Sequence, residues 1–363
     1  MSIIRGWCPT AWRPMTAGDG LLVRVRPRMG RLHRDAMLAL CELAIAQGNG
    51  QIDVTNRANL QIRGVSEGGW QMLIAALVAL GLVDPDPARE ARRMTLAAPC
   101  WRPGDDTYRI ATELDRRLGE LPALPGKFGF AIDAGPAPML AEAPGDLRVE
   151  RTAAGRLLLR ADGRATGVLL TPGHEVDALI ALAKWFVVSG GSAAKRMARH
   201  AAPLPDWAKG TERPAPAGPL AEMPGTSWPL AFGRIDAPSF HAMLRRSTAT
   251  RVRTTPWRAL LIEGDHDLAV PDAPVATDAC VGAPACPQAS VATRALALRL
   301  APFVAGRLHV SGCAKGCARA APAAVVLTGR EGRYDLAFDA CAGATPARAA
   351  LDPAAVLQHF GAS

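Results

Sequence analysis

Aromatic residues are scarce in this sequence, at 5% of 363 positions with only two tyrosines. Long runs of Lys or Arg are missing as well, and no basic segment is interleaved with aromatics. Those are the features a nucleic-acid surface uses, so the formal charge of +9 fits a polyanionic small molecule equally well. The longest apolar run, Met72–Val83, has 12 residues, whereas a bilayer span needs about 20. The N-terminal stretch MSIIRGWCPTAWRPM lacks the continuous apolar core of a secretory signal. No Gly-x-Gly-x-x-Gly follows a strand-like segment, so a built-in dinucleotide domain is unsupported. The seven histidines form no His-x3-His pair and no two-histidine-one-carboxylate spacing. These absences lead to an expectation of a cytoplasmic protein with no membrane and no nucleic-acid partner.

What is present is a globular composition, 49% apolar and 21% charged, in a chain long enough for about two domains. Eight cysteines without an export signal argue for reduced thiols and metal work over a disulfide scaffold. Four of them form two tight pairs. Cys280 and Cys286 enclose five residues and Cys313 and Cys317 enclose three, with Gly312 and Gly316 framing the second pair. Four soft anionic ligands with small neighbours, where backbone can approach a bulky inorganic cube, point to a [4Fe–4S] cluster. Zinc is the rival metal, but its structural sites favour two to four residues within a pair. The bland alternative is two pairs of incidental cysteines. Pro287 is placed to open a helix over Gln288–Leu300, whose positive end would face an anionic cluster. Cys41 falls on the apolar face of a helical stretch and reads as core. Cys100 and Cys341 stand alone, and Cys8 either lines a site or packs. His309, four positions before Cys313, reads as a strand residue with an ordinary hydrogen bond.

A second constellation is basic. Arg24, Arg26 and Arg28 alternate in LLVRVRPR, so on a strand they would share one face. Arg57 and Gln61 lie in TNRANLQ, and Lys127 in LPGKFGF. Guanidinium forks converging with a lysine suit several carboxylates, and the competing reading is a solvated strand face. The candidate substrate-binding residues are therefore Arg24, Arg26, Arg57, Gln61 and Lys127. No catalytic residue is assigned.

The chain also repeats itself. Gln51–Gly64 set over Arg251–Gly264 matches Ile52/Val252, Thr55/Thr255, Leu60/Leu260, Ile62/Ile262 and Gly64/Gly264. Gly30-Arg31-Leu32 resembles Gly233-Arg234-Ile235 at a nearly equal offset. Each half reads strand, helix, strand hairpin, with a proline-rich stretch between them. Chance similarity of short strands is the alternative, and the repeated order of elements counts against it. The pattern predicts an α+β protein with pseudo-twofold symmetry.

Together these motifs resemble the sirohaem sulfite and nitrite reductase superfamily over most of the chain. LLVRVRP with Gly30, then DVTNRANLQIRGV, resemble its first half-domain. LPGKFGF resembles its Leu-Pro-x-Lys-Phe-Lys segment, and the cysteine pairs resemble its cluster motif. The resemblance implies ferredoxin-like half-domains at 1–85 and 229–270, each followed by a reductase-type α+β domain (86–200 and 271–363), with a proline-rich linker at 201–228. It implies that Arg24, Arg57 and Lys127 line an anionic site over a tetrapyrrole. Cys280, Cys286, Cys313 and Cys317 match the cluster ligands, Cys317 being the one that bridges to haem iron.

There are departures. Gly129 stands where the family has a second lysine, Ala314-Lys315 replaces a Pro-Asn, and the chain is shorter than assimilatory reductases. They make it most similar to the superfamily branch of the aerobic cobalamin pathway. That similarity implies an iron–sulfur monooxygenase binding precorrin-3A where relatives bind sirohaem. It further implies O2-dependent hydroxylation at C20, lactone formation from the ring A acetate, a non-haem iron beside the cluster, and an external donor, NADH-linked or another reductase. A metal-free substrate offers Cys317 no haem iron to bridge. The alternative is a compact sirohaem-dependent sulfite or nitrite reductase. A nucleic-acid-binding protein with a structural metal rests on little beyond pI.

Overall fold

The computed structural model describes residues 9–216, 222–264, 268–272 and 276–362; Cys8 lies outside them. In the first half come β1 (Met15–Ala17), β2 (Gly20–Val25), β3 (Arg31–His33), α1 (Arg34–Gln47), β4 (Gln51–Val54), β5 (Leu60–Val65), α2 (Glu67–Ala79) and α3 (Pro87–Arg92). A second unit follows with β6 (Thr95–Ala97), α4 (Asp106–Arg116), β7 (Phe130–Ile132), β8 (Leu147–Arg151), β9 (Leu157–Ala161), β10 (Val168–Leu169), α5 (Glu175–Val188) and α6 (Gly191–Ala194). The plan then recurs with β11 (Thr226–Pro229), β12 (Arg234–Asp236), α7 (Ala237–Arg246), β13 (Arg251–Thr254) and β14 (Ala259–Glu263). It closes with β15 (Thr277–Ala279), α8 (Arg294–Leu300), β16 (Leu308–Ser311), β17 (Ala323–Arg330), β18 (Arg333–Ala340), β19 (Arg348–Leu351) and α9 (Pro353–His359).

Local chemistry explains the main elements. Helix α1 starts where the His33 ring accepts from the Asp35 N–H, and α2 where Ser66 accepts from the Gly69 N–H, each pairing an orphan donor of the first turn. Along α1, Met37, Leu40, Cys41 and Ala44 recur at helical spacing and are fully buried against the first sheet, each large one contributing about 1.5–3 kcal/mol by burial. Burial pushes the Cys41 thiol up to about 12, reinforced by Glu42, so it is a packing residue. In β5, Leu60 and Ile62 face that core while Gln61 alternates to the other side of the strand.

The two halves exchange strands. The first sheet has the order β1-β2-β5-β4-β12, with Ile235 of the second half opposite Ile52 of the first. The second has the order β11-β14-β13-β3, with Leu32 opposite Val252. Helices α1 and α7 pack on each other over one shared core. The pseudo-twofold relation reaches the backbone. Met29 and Phe232, at φ 55° and 57°, and Ala58 and Arg258, at 54° and 59°, occupy the left-handed region at matching places, which non-glycine residues seldom enter. Gly64 and Gly264 do so at 69° and 85°. The α+β fold with a pseudo-twofold repeat is thus present, and the exchange of strands between halves goes beyond what the repeat alone indicates.

The other two sheets share one topology: β6, β7 and β8 run parallel and β9 and β10 antiparallel, as do β15, β16 and β17 against β18 and β19. The stretch read as a linker contributes β11 at its end, paired with β14, and touches the second unit through a Gly167–Glu212 bridge.

Candidate functional site

The first cysteine pair follows β15 and the second follows β16. Their strands are parallel neighbours, with Ala279 opposite Val310, so both connections emerge at the same sheet end. They pack closely. The Gly312 N–H donates to Cys280 Sγ at 3.2 Å, and a Cβ on Gly312 would fall 2.5 Å from the Ala289 Cβ and 3.4 Å from the Gly282 Cα. The Ser290 N–H donates to the Gly312 carbonyl, and Thr293 Oγ1 donates to the Cys280 carbonyl. Cys280, Cys286 and Cys313 are half-buried and Cys317 is exposed. Partial desolvation pushes the Cys317 thiol up, Lys315 opposes it, and the charges of Cys280, Cys313 and Cys286 push it further. Cys317 thus sits within electrostatic reach of the other three sulfurs.

Among the described residues no group of three or more His, Cys, Asp or Glu side chains is gathered tightly enough to hold a single metal ion. A [4Fe–4S] cluster would take one thiolate at each of its four iron corners. The local chemistry fits such a group in two ways. Glycine at 312 admits the backbone to a crowded spot. His309 beneath the second pair is wholly buried, and both its ring nitrogens lack a hydrogen-bond partner among the described residues. His309 is a strand residue of β16 as expected, and the ordinary side-chain hydrogen bond read for it is corrected. The helix expected over Gln288–Leu300 is corrected too: it begins at Arg294 and has seven residues. The preceding residues instead fold the first loop on itself, through the Ala289 N–H to the Cys286 carbonyl and the Ala283 N–H to the Val291 carbonyl, while the Ser290 N–H ties it to Gly312 of the second. No helix end therefore stands behind Cys286. For a non-haem iron, no ligand set can be named among the described residues.

The basic constellation gathers at the junction of the first sheet and the second unit. Arg24 and Gln61 are direct cross-strand partners, and Arg24 Nη2 donates to Gln61 Oε1 at 2.8 Å. Arg57 lies in the turn between β4 and β5. There the Thr55 hydroxyl accepts from the N–H groups of Arg57 and Asn59, and Ala58 takes the left-handed conformation. Arg57 Nη2 donates to the Lys127 carbonyl at 2.6 Å, while Lys127 itself is exposed in the turn before β7. Arg24, Arg26 and Arg57 line one small cavity with Gly126. An adjoining cavity of about 230 Å³ shares Arg26, Asn59, Arg93 and Thr95 with it.

One part of the arginine reading needs correction. Strand β2 ends at Val25, so Arg24, Arg26 and Arg28 do not share a strand face. Arg26 is buried, its Nη1 donating to the Glu90 carbonyl and its own carbonyl accepting from Arg93 Nη2. It anchors the cavity wall to α3. Arg28 pairs at the surface with Asp84 and Asp115.

The two constellations share one side of the first sheet. Two positions beyond Gln61, Arg63 is buried and holds Asp19 and Asp53, and its Nη2 reaches the Ala285 carbonyl beside Cys286. The β1–β2 turn docks there as well, the Gly18 N–H donating to Ala285, where a Cβ would overlap the Pro284 carbonyl at 1.9 Å. Asp53 also receives Arg294 of α8. Sequence reasoning missed Arg63 and Arg93 because nothing local separates them from solvated arginines. The Arg258–Asp278–Arg307 cluster beside the cysteine loops was missed for the same reason.

Residues 13–80 match the model of the nitrite/sulfite reductase ferredoxin-like half domain. A precorrin-3B synthase from Sinorhizobium sp is 31% identical, covering 95% of this chain and 85% of that protein. The Mycobacterium tuberculosis NirA protein has a similar structure, with a TM-score of 0.62 at 17% identity over 90% of this chain and 76% of that one. At that identity the likeness speaks for the fold alone. Among the described residues no helix is long and apolar enough to cross a membrane.

Proposed function

The chain belongs to the precorrin-3B synthase family within the nitrite/sulfite reductase superfamily, and from that premise we propose that it hydroxylates precorrin-3A at C20 with O2, with lactone formation from the ring A acetate. The single observation that carries the site assignment is the convergence of Arg24, Arg26 and Arg57 on one cavity beside Lys127. The neighbouring cavity of about 230 Å³ is smaller than the ~300–1,000 Å³ of pockets that enclose a whole ligand. It suits the acetate and propionate arms of a tetrapyrrole, leaving the macrocycle in the cleft outside. Guanidinium forks accept carboxylates bidentately and fix their orientation. Gln61, held by Arg24, keeps that guanidinium aimed, and the buried Arg26 braces the wall through the Glu90 carbonyl, while Glu90 offsets the charge of Arg93.

Cys280, Cys286, Cys313 and Cys317 would hold a [4Fe–4S] cluster, which when bound supplies single electrons drawn from an external reductase. The chain's own contribution is to bring those thiols and the carboxylate-binding arginines to one side of a single sheet, linked through Arg63 and Ala285. Holding the macrocycle by its arms leaves its edge free for O2 chemistry, while Cys317 acts as a cluster ligand only. The sirohaem-dependent sulfite or nitrite reductase reading is not favoured, because the relative aligned over nearly the whole chain is a precorrin-3B synthase.

The test is anaerobic purification with iron and sulfide analysis, then incubation with precorrin-3A and reductant, with and without O2. Product heavier by one oxygen atom only when O2 is present is the expected outcome. An intact cluster without turnover sinks the reading, and a sirohaem spectrum with sulfite or nitrite reduction replaces it. Arg57→Ala should weaken precorrin-3A binding about tenfold to a hundredfold, the range of one charge-assisted hydrogen bond, with iron and sulfide content unchanged. Equal loss of binding and cluster would remove Arg57 from its assigned role.

A further inference from the structure

Gly129 lies between Phe128 and Phe130, whose rings are fully buried, just before β7. It is not among the glycines with positive φ, so its backbone does not call for glycine. The requirement is spatial. A Cβ at this position would lie 2.9 Å from Arg57 Nη1 and 3.2 Å from the Met94 carbonyl. The main chain has little freedom to retreat. The Gly129 N–H donates to Asp146 Oδ2 at 3.0 Å, and the Gly129 carbonyl accepts from the N–H groups of Asp146 and Leu147. Asp146 is itself fully buried and held by Arg196. In a contact between a pinned backbone and the far end of an arginine, the arginine is the part that yields.

We infer that Gly129 is a specificity-determining position: by carrying no side chain, it seats the Arg57 guanidinium flat against the 127–129 backbone and so sets where that charge meets a substrate carboxylate. This rests on the proposed role of the arginine cavity as a carboxylate site. With Nη2 bonded to the Lys127 carbonyl and Nη1 over Gly129, the fork lies along the 127–129 backbone. Its charge then enters from the wall of the cavity that it lines with Arg24 and Arg26. Any side chain at 129 lifts the guanidinium off its seat, into the volume the substrate's arm would occupy.

The test measures precorrin-3A binding under anaerobic conditions, where turnover cannot intervene, with iron and sulfide content and thermal unfolding followed alongside. Gly129→Ala should weaken binding about tenfold or more, comparable with the loss of one charge-assisted hydrogen bond, at unchanged cluster content. In an Arg57→Ala background the same substitution should change binding less than about twofold, because the contact it disturbs is gone. If Gly129→Ala unfolds the protein instead, Arg57→Ala should restore the lost thermal stability. Equal weakening by Gly129→Ala in both backgrounds, wild-type binding by the single variant, or unfolding that Arg57→Ala does not rescue would overturn the inference. Failure of the underlying reading is separate: there, neither the wild-type protein nor Arg57→Ala distinguishes precorrin-3A from buffer.

Discussion

The connections after β15 and β16 carry the four cysteines, and the connections after β6 and β7 are their counterparts in the first half. The match is close. The Cys280 N–H donates to the Val310 carbonyl just as the Ala98 N–H donates to the Ile132 carbonyl, and each acceptor strand is the parallel neighbour. Yet Ala98 stands where Cys280 does, and by the same register Gly135 and Met139 stand where Cys313 and Cys317 do. The first-half copy encloses a cavity of about 470 Å³, lined by Ala98, Cys100, Asp133 and Met139 among others. One backbone plan thus yields a thiol cradle on one side and a largely apolar cavity floored by a buried carboxylate on the other. The topology makes the loops, and the side chains alone decide whether a metal group can be held.

That contrast can be broken most sharply at the cysteines. Cys313→Ser should abolish the iron and sulfide found in the purified protein, whereas Cys100→Ser in the counterpart cavity should leave both unchanged. Retention of a full cluster by the first variant would remove the distinction between the two loops.

A second contrast lies in the hairpins. Asp53 and Arg63 pair in the first half, and at the matching positions Arg253 and Glu263 pair in the second with the signs reversed. Burial alone would raise the Glu263 carboxyl, but hydrogen bonds from Arg31 and Arg253 hold it below its ordinary value. Its stabilisation is therefore fully present above the unfolded carboxylate range and is lost as pH falls through its lowered folded value. Glu263→Gln leaves Arg253, with its side chain 3% exposed, without its charge partner and should cost about 3–5 kcal/mol in chemical unfolding near neutral pH. The deficit should shrink under acid, and a deficit constant with pH would deny the ion pair its part.

The smallest effect is expected at Asp133. Burial raises its pKa above the usual range, with the Leu140 and Met139 N–H groups pulling the other way, and Oδ1 has no partner among the described residues. A carboxyl raised on folding is a net liability above its folded pKa and none below its unfolded one. Asp133→Asn should therefore leave stability within about 1 kcal/mol or raise it slightly at neutral pH, with the gain vanishing in acid. A large loss would mean that the charge itself holds the 139–140 loop.

How much of this was legible in the chain differs from element to element. The helix α1, the β4–β5 and β13–β14 hairpins and the repeat were readable because apolar spacing and turn residues act locally. The cysteine pairs were readable as pairs because spacing is a property of the chain, and parallel β15 and β16 bring both to one sheet end. Helix α8 was misjudged over Gln288–Thr293 because Ser290 and Thr293 bond across to Gly312 and Cys280, a long-range use of groups that look helix-competent locally. The shared strand face of Arg24, Arg26 and Arg28 was misjudged because the strand stops at Val25, and a carbonyl of α3 takes the Arg26 guanidinium.

By itself, then, the sequence determined the repeat, the two halves' order of elements, the thiol set and the basic residues, since these follow from composition, period and spacing. Only the tertiary structure decided that β3 and β12 trade places between the halves, and that Arg57 lies over Gly129. It also decided that Arg63 links the arginine cavity to the cysteine loops. Each of those depends on a contact between residues far apart in the chain, and which distant arginine meets which buried acid or carbonyl is settled only when the sheets have packed.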